Sequence, residues 1–141
     1  MQEIHFDEKL EHIRAKDGRF SRDAYHFMRE ALEFTQKQIG RENHGRVRHV
    51  SVNELLDGLR QYALQQFGPM TITVLEAWGV RSCGDFVDII FNMVEVELLA
   101  RTDQDNREDF QGGYDFVEAF DKPFWPKGKN RAGTRTTILP Q

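Results

Sequence analysis

Two histidines and a glutamate near the start of the chain have types and spacings that suit metal chemistry. His5, Glu8 and His12 follow one another at intervals of three and four residues, so a helix would place all three side chains on one face. Imidazole and carboxylate groups are common protein ligands of zinc and iron. The spacing lacks the compact His-Glu-x-x-His form, and histidines are ordinary on polar helix faces. We therefore favour a solvated face and keep a small metal-dependent enzyme as an alternative hypothesis.

The single cysteine, Cys83, is predicted to be structural. It falls in the first turn of a predicted helix, where the helix dipole can lower the pKa of a thiol. A nucleophilic thiol also needs a base close by in space, and the sequence identifies none. One cysteine cannot form a disulfide within the chain, which fits a reducing compartment.

Aromatic residues in the second half of the chain either line a ligand pocket or fill a core. The set comprises Trp78, Phe86, Phe91, Phe110, Phe116, Phe120, Phe124 and Trp125. Aromatic side chains at helical spacing are usually buried, and we predict burial for most of this set. Phe124 and Trp125 are the exception, because Pro123 and Pro126 flank them and favour an extended segment. We predict that these two rings dock on a partner or on the domain itself.

The charges are unevenly distributed along the chain, and this bears on nucleic-acid binding. Residues 83–121 carry two basic and eleven acidic side chains, whereas residues 122–141 carry five basic and no acidic ones, in a chain of net charge −4. Basic side chains bind nucleic acids by neutralising phosphates. The candidate contacts are Arg46, Arg48, Lys127, Lys129 and Arg131. Nucleic-acid binding is an alternative hypothesis here, and a solvated basic tail is the favoured interpretation.

The elements that must position these residues begin with two helices in residues 1–40. Apolar residues recur at helical spacing on both sides of Gly18, which separates the two helices. Ser21 is predicted to cap the second helix, because its hydroxyl can accept hydrogen bonds from first-turn amides. Gly40 is predicted to end that helix by adopting the left-handed conformation.

A capping box marks the start of the next helix. Ser51 and Glu54 have the spacing at which each side chain bonds the other residue's backbone amide. Gly68 and Pro69 are predicted to end this helix and to begin a short one. A turn at Gly79 then leads to a third helix.

Residues 51–118 follow the order of a winged helix-turn-helix unit, with two helices joined by a short turn that contains glycine. After the third helix, residues 98–118 form either a small β-hairpin, with residues 114–117 as the returning strand, or a further helix. We predict a mainly α fold with a helix-turn-helix or winged-helix-like centre.

This order of elements does not by itself predict DNA binding. The third helix would present Asp85, Asp88 and Glu95, and these carboxylates would repel the phosphates of a duplex. A helical module that binds proteins is the more natural use of an acidic surface of this kind.

Four short runs of residues form a distinctive set. They are Phe67-Gly68-Pro69-Met70, Trp78-Gly79-Val80-Arg81-Ser82, Arg107-Glu108-Asp109-Phe110 and Gly113-Tyr114-Asp115-Phe116. Over roughly residues 20–125, the chain resembles a family of small uncharacterised bacterial proteins of about this length. That family has no assigned activity, ligand or catalytic residue, so the resemblance implies a bacterial cytoplasmic protein and no particular site.

Together these features predict one helical domain, residues 1–125, followed by a basic, disordered tail, residues 126–141. No apolar run approaches the roughly 18 residues of a membrane span, and no secretion signal is evident, so we expect a cytoplasmic protein without a membrane partner. We expect no cofactor. Because phosphate-loop and nucleophile motifs are lacking, the leading hypothesis is a non-enzymatic interaction or regulatory module that binds another protein or itself.

Overall fold

The structure, a computed structural model, describes residues 2–42, 44, 49–99 and 112–126. Within these ranges five α-helices follow one another: α1 (Gln2–Lys16), α2 (Arg22–Glu42), α3 (Val52–Phe67), α4 (Thr71–Ala77) and α5 (Cys83–Glu95). A 3-10 turn, Gly68–Met70, joins α3 to α4, and a π-helical turn, Val117–Asp121, precedes a second 3-10 turn, Lys122–Phe124. These ranges contain no strand, which confirms the mainly α prediction. None of the helices described is long and apolar enough to cross a membrane.

The core lies where α2, α3 and α5 pack against one another. Their central side chains are almost completely buried: Tyr25, Met28, Leu56, Leu59, Ile89 and Met93. Leu10 and Ile13 of α1 join the same cluster. Each fully buried aliphatic side chain stabilises the fold by about 1.5–3 kcal/mol relative to exposure, so this cluster is the main source of stability.

The capping box at the start of α3 is confirmed. The Glu54 amide donates to the Ser51 hydroxyl at 3.1 Å, and the Ser51 amide donates to the Glu54 carboxylate at 3.0 Å. The helix ends at Phe67, as predicted, because Gly68 adopts a φ of +53° and its amide donates to the Leu64 carbonyl.

Both ends of α2 differ from the prediction. Ser21 does precede the helix, but its buried hydroxyl has no hydrogen-bond partner in the part of the chain described. Its amide instead donates to the Trp78 carbonyl at 3.1 Å, which ties this position to the turn after α4. Gly40 does not end the helix, which continues to Glu42. The space around Gly40 is open and Ile39 is buried, so packing continues through this turn.

The sequence leaves residues 98–118 open between a β-hairpin and a further helix, and a strand at residues 114–117 is the alternative that is wrong. The backbone becomes helical at Phe116 and continues into the π-helical turn. Phe116, Ala119 and Phe120 are buried, whereas the residues between them are exposed. This spacing of three and four residues is that of a helix face, whereas a strand would bury every second residue. The proposed partner strand begins in a bend at residues 98–99, and its remaining residues lie outside those described.

Candidate functional site

Phe124 and Trp125 lie at the surface, in and directly after the last 3-10 turn. Phe124 is 47% exposed and Trp125 is 50% exposed. Pro123 stands in the first turn of this short element, and Trp125 has an extended backbone with a φ of −72° and a ψ of 148°. The Lys122 ammonium lies 5.6 Å from the centroid of the Trp125 ring, a cation–π contact that orients the ring at the surface.

Two further apolar side chains are exposed on neighbouring elements. Val117 is 43% exposed on the π-helical turn, and Met70 is 56% exposed on the Gly68–Met70 turn, which packs beside it. We call Met70, Val117, Phe124 and Trp125 the apolar patch. These four are the large hydrophobic side chains exposed among the residues described. Single exposed apolar residues are ordinary, but their concentration is typical of a protein-binding surface.

Buried rings fix the turns that carry the apolar patch. Phe120 is fully buried, and its ring meets the Phe116 ring at a centroid distance of 5.0 Å. The Tyr114 ring contacts Phe120 edge-on at 5.9 Å, and its hydroxyl donates to the Leu56 carbonyl of α3 at 2.6 Å. The patch is therefore presented by a well-anchored segment.

Cys83 occupies a structural position beneath this segment. The residue is 2% exposed, and its Sγ lies 3.3 Å from the Tyr114 carbonyl oxygen and 3.4 Å from the Tyr114 amide nitrogen. Burial raises the pKa of the Cys83 thiol, which keeps it protonated at neutral pH. This environment agrees with the structural role predicted for the cysteine.

His5, Glu8 and His12 do share the exposed face of α1, as their spacing predicts. They line one shallow surface pocket together with Glu95, the last residue of α5. Among the residues described, however, no three His, Cys, Asp or Glu side chains are grouped so that they could hold a metal ion. Sharing a face therefore does not bring these three side chains into a coordinating arrangement.

The residues predicted to contact nucleic acid are Arg46, Arg48, Lys127, Lys129 and Arg131, and all five lie outside the residues described. Their role and the disorder of the tail stay predictions. The basic segment enters the described part of the chain at Lys122, which forms an ion pair with Glu118 one turn earlier. That lysine is thus engaged within the protein.

A polar network that sequence patterns did not reveal joins the α1–α2 connection to α5. The Arg19 guanidinium donates twice to the Asp17 carboxylate, at 2.9 and 2.8 Å, and lies 3.2 Å from Asp88. Asn92 donates to Asp17 at 3.0 Å and to the Tyr25 hydroxyl at 3.1 Å. The hydrogen bonds from Arg19 hold the pKa of Asp17 well below its usual range. The contacts point to a structural tie between elements far apart in the chain.

We expect Asp17→Asn to lower the free energy of unfolding by about 1–2 kcal/mol at neutral pH. The substitution replaces a charged carboxylate, which accepts several hydrogen bonds, with a neutral amide. The folded-state pKa is depressed, so the contribution is complete above the unfolded-state pKa of about 3.9 and is lost as the pH falls towards the folded-state pKa. Urea unfolding at several pH values should show the two proteins converging below about pH 4.

The matched control for this prediction is Asp57→Asn. Asp57 pairs with Arg60 on an exposed face of α3, at 3.0 Å. An exposed pair of this kind contributes about 0–1 kcal/mol, so the control should be nearly neutral. A stability difference for Asp17→Asn that persists unchanged in acid would contradict the assigned role of its charge.

Comparison of the chain with protein-family models, with curated proteins and with solved structures finds no match. The resemblance to a small bacterial family therefore stays a prediction, and the functional argument rests on the geometry of this chain alone.

Proposed function

We propose that the protein is a non-enzymatic interaction or regulatory module of the bacterial cytoplasm, and that it binds another protein, or a second copy of itself, through the apolar patch. The observation that carries this proposal is the half-exposure of Phe124 and Trp125 beside each other on an anchored turn. Aromatic side chains, above all tryptophan, are enriched among the residues that dominate binding energy at protein interfaces.

The two aromatic rings that precede Phe124 and Trp125 in this segment are buried, and this contrast supports a binding role for the exposed pair. Phe116 and Phe120, a few residues earlier, are buried in the core, so the segment has already satisfied its own packing. Phe124 and Trp125 are left with large apolar surfaces that a partner can remove from water. Burial of such area favours association at about 25 cal/mol per Å² before the costs of ordering are subtracted.

A helix-turn-helix-like arrangement of α3, α4 and α5 is part of the proposal, as the scaffold that supports the patch. The turn after α4 is short, with Gly79 at a φ of +91°, and it leads directly into α5. The outer side of α5 is acidic: Asp85 is partly exposed and Glu95 is exposed. Negative charge at this position favours a protein partner over a nucleic acid.

The proposal predicts that Phe124→Ser combined with Trp125→Ser weakens partner binding by at least about thirtyfold, the effect of losing roughly 2 kcal/mol at one interface hot spot. Both side chains are half exposed, so the free energy of unfolding should change by less than about 1 kcal/mol. The measurement has two parts: sedimentation of the purified protein reports self-association, and quantitative affinity purification from bacterial cells reports other partners.

Gln65→Ser combined with Gln66→Ser is the matched control, because both glutamines are exposed on α3 outside the apolar patch. The control should keep the binding of the unsubstituted protein. Equal recovery of partners with the aromatic variant and with the control, together with unchanged sedimentation, would remove the patch as the binding surface.

A further inference from the structure

A groove lies between α1, α2 and the residues that follow α5, away from the elements that carry the apolar patch. Its volume is about 740 Å³, which falls within the range of small-molecule sites in proteins. Its apolar floor includes Phe6 of α1, Leu32 of α2 and Met93 of α5. Leu98 and Leu99 complete this floor. Such a surface suits a ligand with a hydrocarbon chain.

A narrower pocket adjoins the groove. Leu32 and Leu99 line both spaces, so the two meet along a shared wall. The pocket has a volume of about 100 Å³, and its other walls include Leu55 of α3 together with Ile90 and Val94 of α5. Gln36, His49 and Ser51 also line it, but its small volume and these aliphatic side chains suit the end of an alkyl chain better than a ring system with polar substituents.

Arg29 places a positive charge at the edge of the apolar floor. The guanidinium carbon lies 4.8 Å from the centroid of the Phe6 ring, so the ring holds this group in position. Within the residues described, Arg29 has no hydrogen bond or ion pair of its own. A guanidinium group of this kind can bind a carboxylate through two parallel hydrogen bonds.

The other charges at the rim restrict the charge of the ligand. Lys9 and Arg29 are balanced by Glu8 and Glu97, and His5 also lies at the rim. The two glutamates would repel a doubly charged phosphate more strongly than a single carboxylate, and a single carboxylate needs only Arg29 as its partner. The charge pattern therefore favours a monoanion.

We propose that this groove binds a free medium-chain fatty acid, with its carboxylate on Arg29 and its chain running across Phe6 and Leu32 towards the narrow pocket. The assignment combines an apolar floor, a narrow extension and one guanidinium that is not engaged elsewhere in the described chain. It is independent of the proposed protein-binding role of the apolar patch.

Isothermal titration calorimetry of the full chain with decanoate, below its micelle concentration, tests this site. We expect saturable binding that strengthens by about fourfold for each added methylene from octanoate to decanoate, as burial of the chain requires. Arg29→Gln should weaken decanoate binding by about tenfold or more, whereas Arg29→Lys, which keeps the charge but loses the two parallel hydrogen bonds, should weaken it less. Arg41→Gln, which removes an exposed charge from the end of the same helix, is the matched control and should bind as the unsubstituted protein does.

The unsubstituted protein supplies a second test that does not depend on the folding of any variant. Decanol has the same chain as decanoate without its charge, so it should bind at least about tenfold more weakly if Arg29 holds the carboxylate. Absence of saturable decanoate binding, or equal affinities for decanoate and decanol, would overturn the proposal. Equal weakening by Arg29→Gln and Arg41→Gln would overturn it as well.

Discussion

We expect Gly79→Ala to lower the free energy of unfolding by about 3 kcal/mol, through backbone strain together with overpacking. Gly79 has a φ of +91°, a conformation that residues with a Cβ rarely adopt. A Cβ built at this position would also overlap the backbone carbonyl oxygen of Arg19. A backbone atom cannot move aside as a flexible side chain can, so the α1–α2 connection itself would have to shift.

The substitution Gly79→Ala should also weaken the contacts next to the point where Gly79 meets the Arg19 carbonyl. The Ser21 amide donates to the Trp78 carbonyl next to Gly79, and Arg19 forms the ion pairs with Asp17 and Asp88. Displacing the Arg19 carbonyl therefore strains the link between the first helix pair and α5. Hydrogen exchange should show the largest loss of protection in residues 17–22 and at the start of α5.

Gly68→Ala separates the two causes. Gly68 also has a positive φ, +53°, but a Cβ there would meet no atom within 4 Å. This variant should show the conformational cost alone, about 1–2 kcal/mol. Urea unfolding of the two variants side by side is the measurement. Equal losses of stability would show that the close approach to Arg19 contributes nothing.

The second large effect is expected for Gly58→Ala on α3. Alanine normally stabilises a helix interior by about 0.8–1 kcal/mol relative to glycine. At Gly58 we expect the opposite, a loss of about 2 kcal/mol, because an added Cβ would overlap the side chain of Thr35 on α2. Thr35 is buried, and its hydroxyl donates to the Ala31 carbonyl at 2.7 Å, so it has little freedom to move.

Two further variants test this explanation by unfolding in urea. Gly40→Ala makes the same chemical change on α2, where a Cβ would have open space, and it should stabilise the protein by up to about 1 kcal/mol. Thr35→Ala combined with Gly58→Ala should recover part of the lost stability, because the smaller side chain makes room for the new methyl group. A stabilising Gly58→Ala would contradict the close α2–α3 packing.

Local chemistry explains the predictions from sequence that were confirmed. The capping box of Ser51 and Glu54 involves two residues three positions apart, so its hydrogen bonds form wherever the chain begins a helix there. Gly68 and Pro69 likewise act on their own backbone, one through a positive φ and the other through a fixed one. These signals need no knowledge of the rest of the fold.

The predictions that failed depended on packing across the chain. Glycine is typical of helix C-termini, which is why the sequence predicts a helix end at Gly40. Ile39 is buried, however, and α2 continues to Glu42. Apolar and polar residues alternate over residues 114–116 as in a strand, but Phe116 and Phe120 are both buried, and a helical turn brings the two rings together while Phe116 packs against Phe86. In both cases tertiary contacts outweighed a local preference.

Of the two candidate binding surfaces, the sequence indicated the apolar patch but not the groove. The prolines beside Phe124 and Trp125 distinguish these rings from the other aromatic residues in the sequence, and their exposure agrees with that interpretation. The groove around Arg29 could not be foreseen, because α1, α2 and the end of α5 must first be brought together before Phe6 lies beneath the guanidinium. No periodic pattern encodes a contact of this kind.

By itself, the sequence determined the helical class of this protein, the start of α3 and the break between α3 and α4, because hydrophobic periodicity, capping and backbone geometry act within a few residues. Only the tertiary structure decided which faces became buried and which polar groups met. Asn92 reaches Asp17 across 75 positions of sequence, and such a contact follows from the packing of whole helices, whose free energy is shared among many distant side chains.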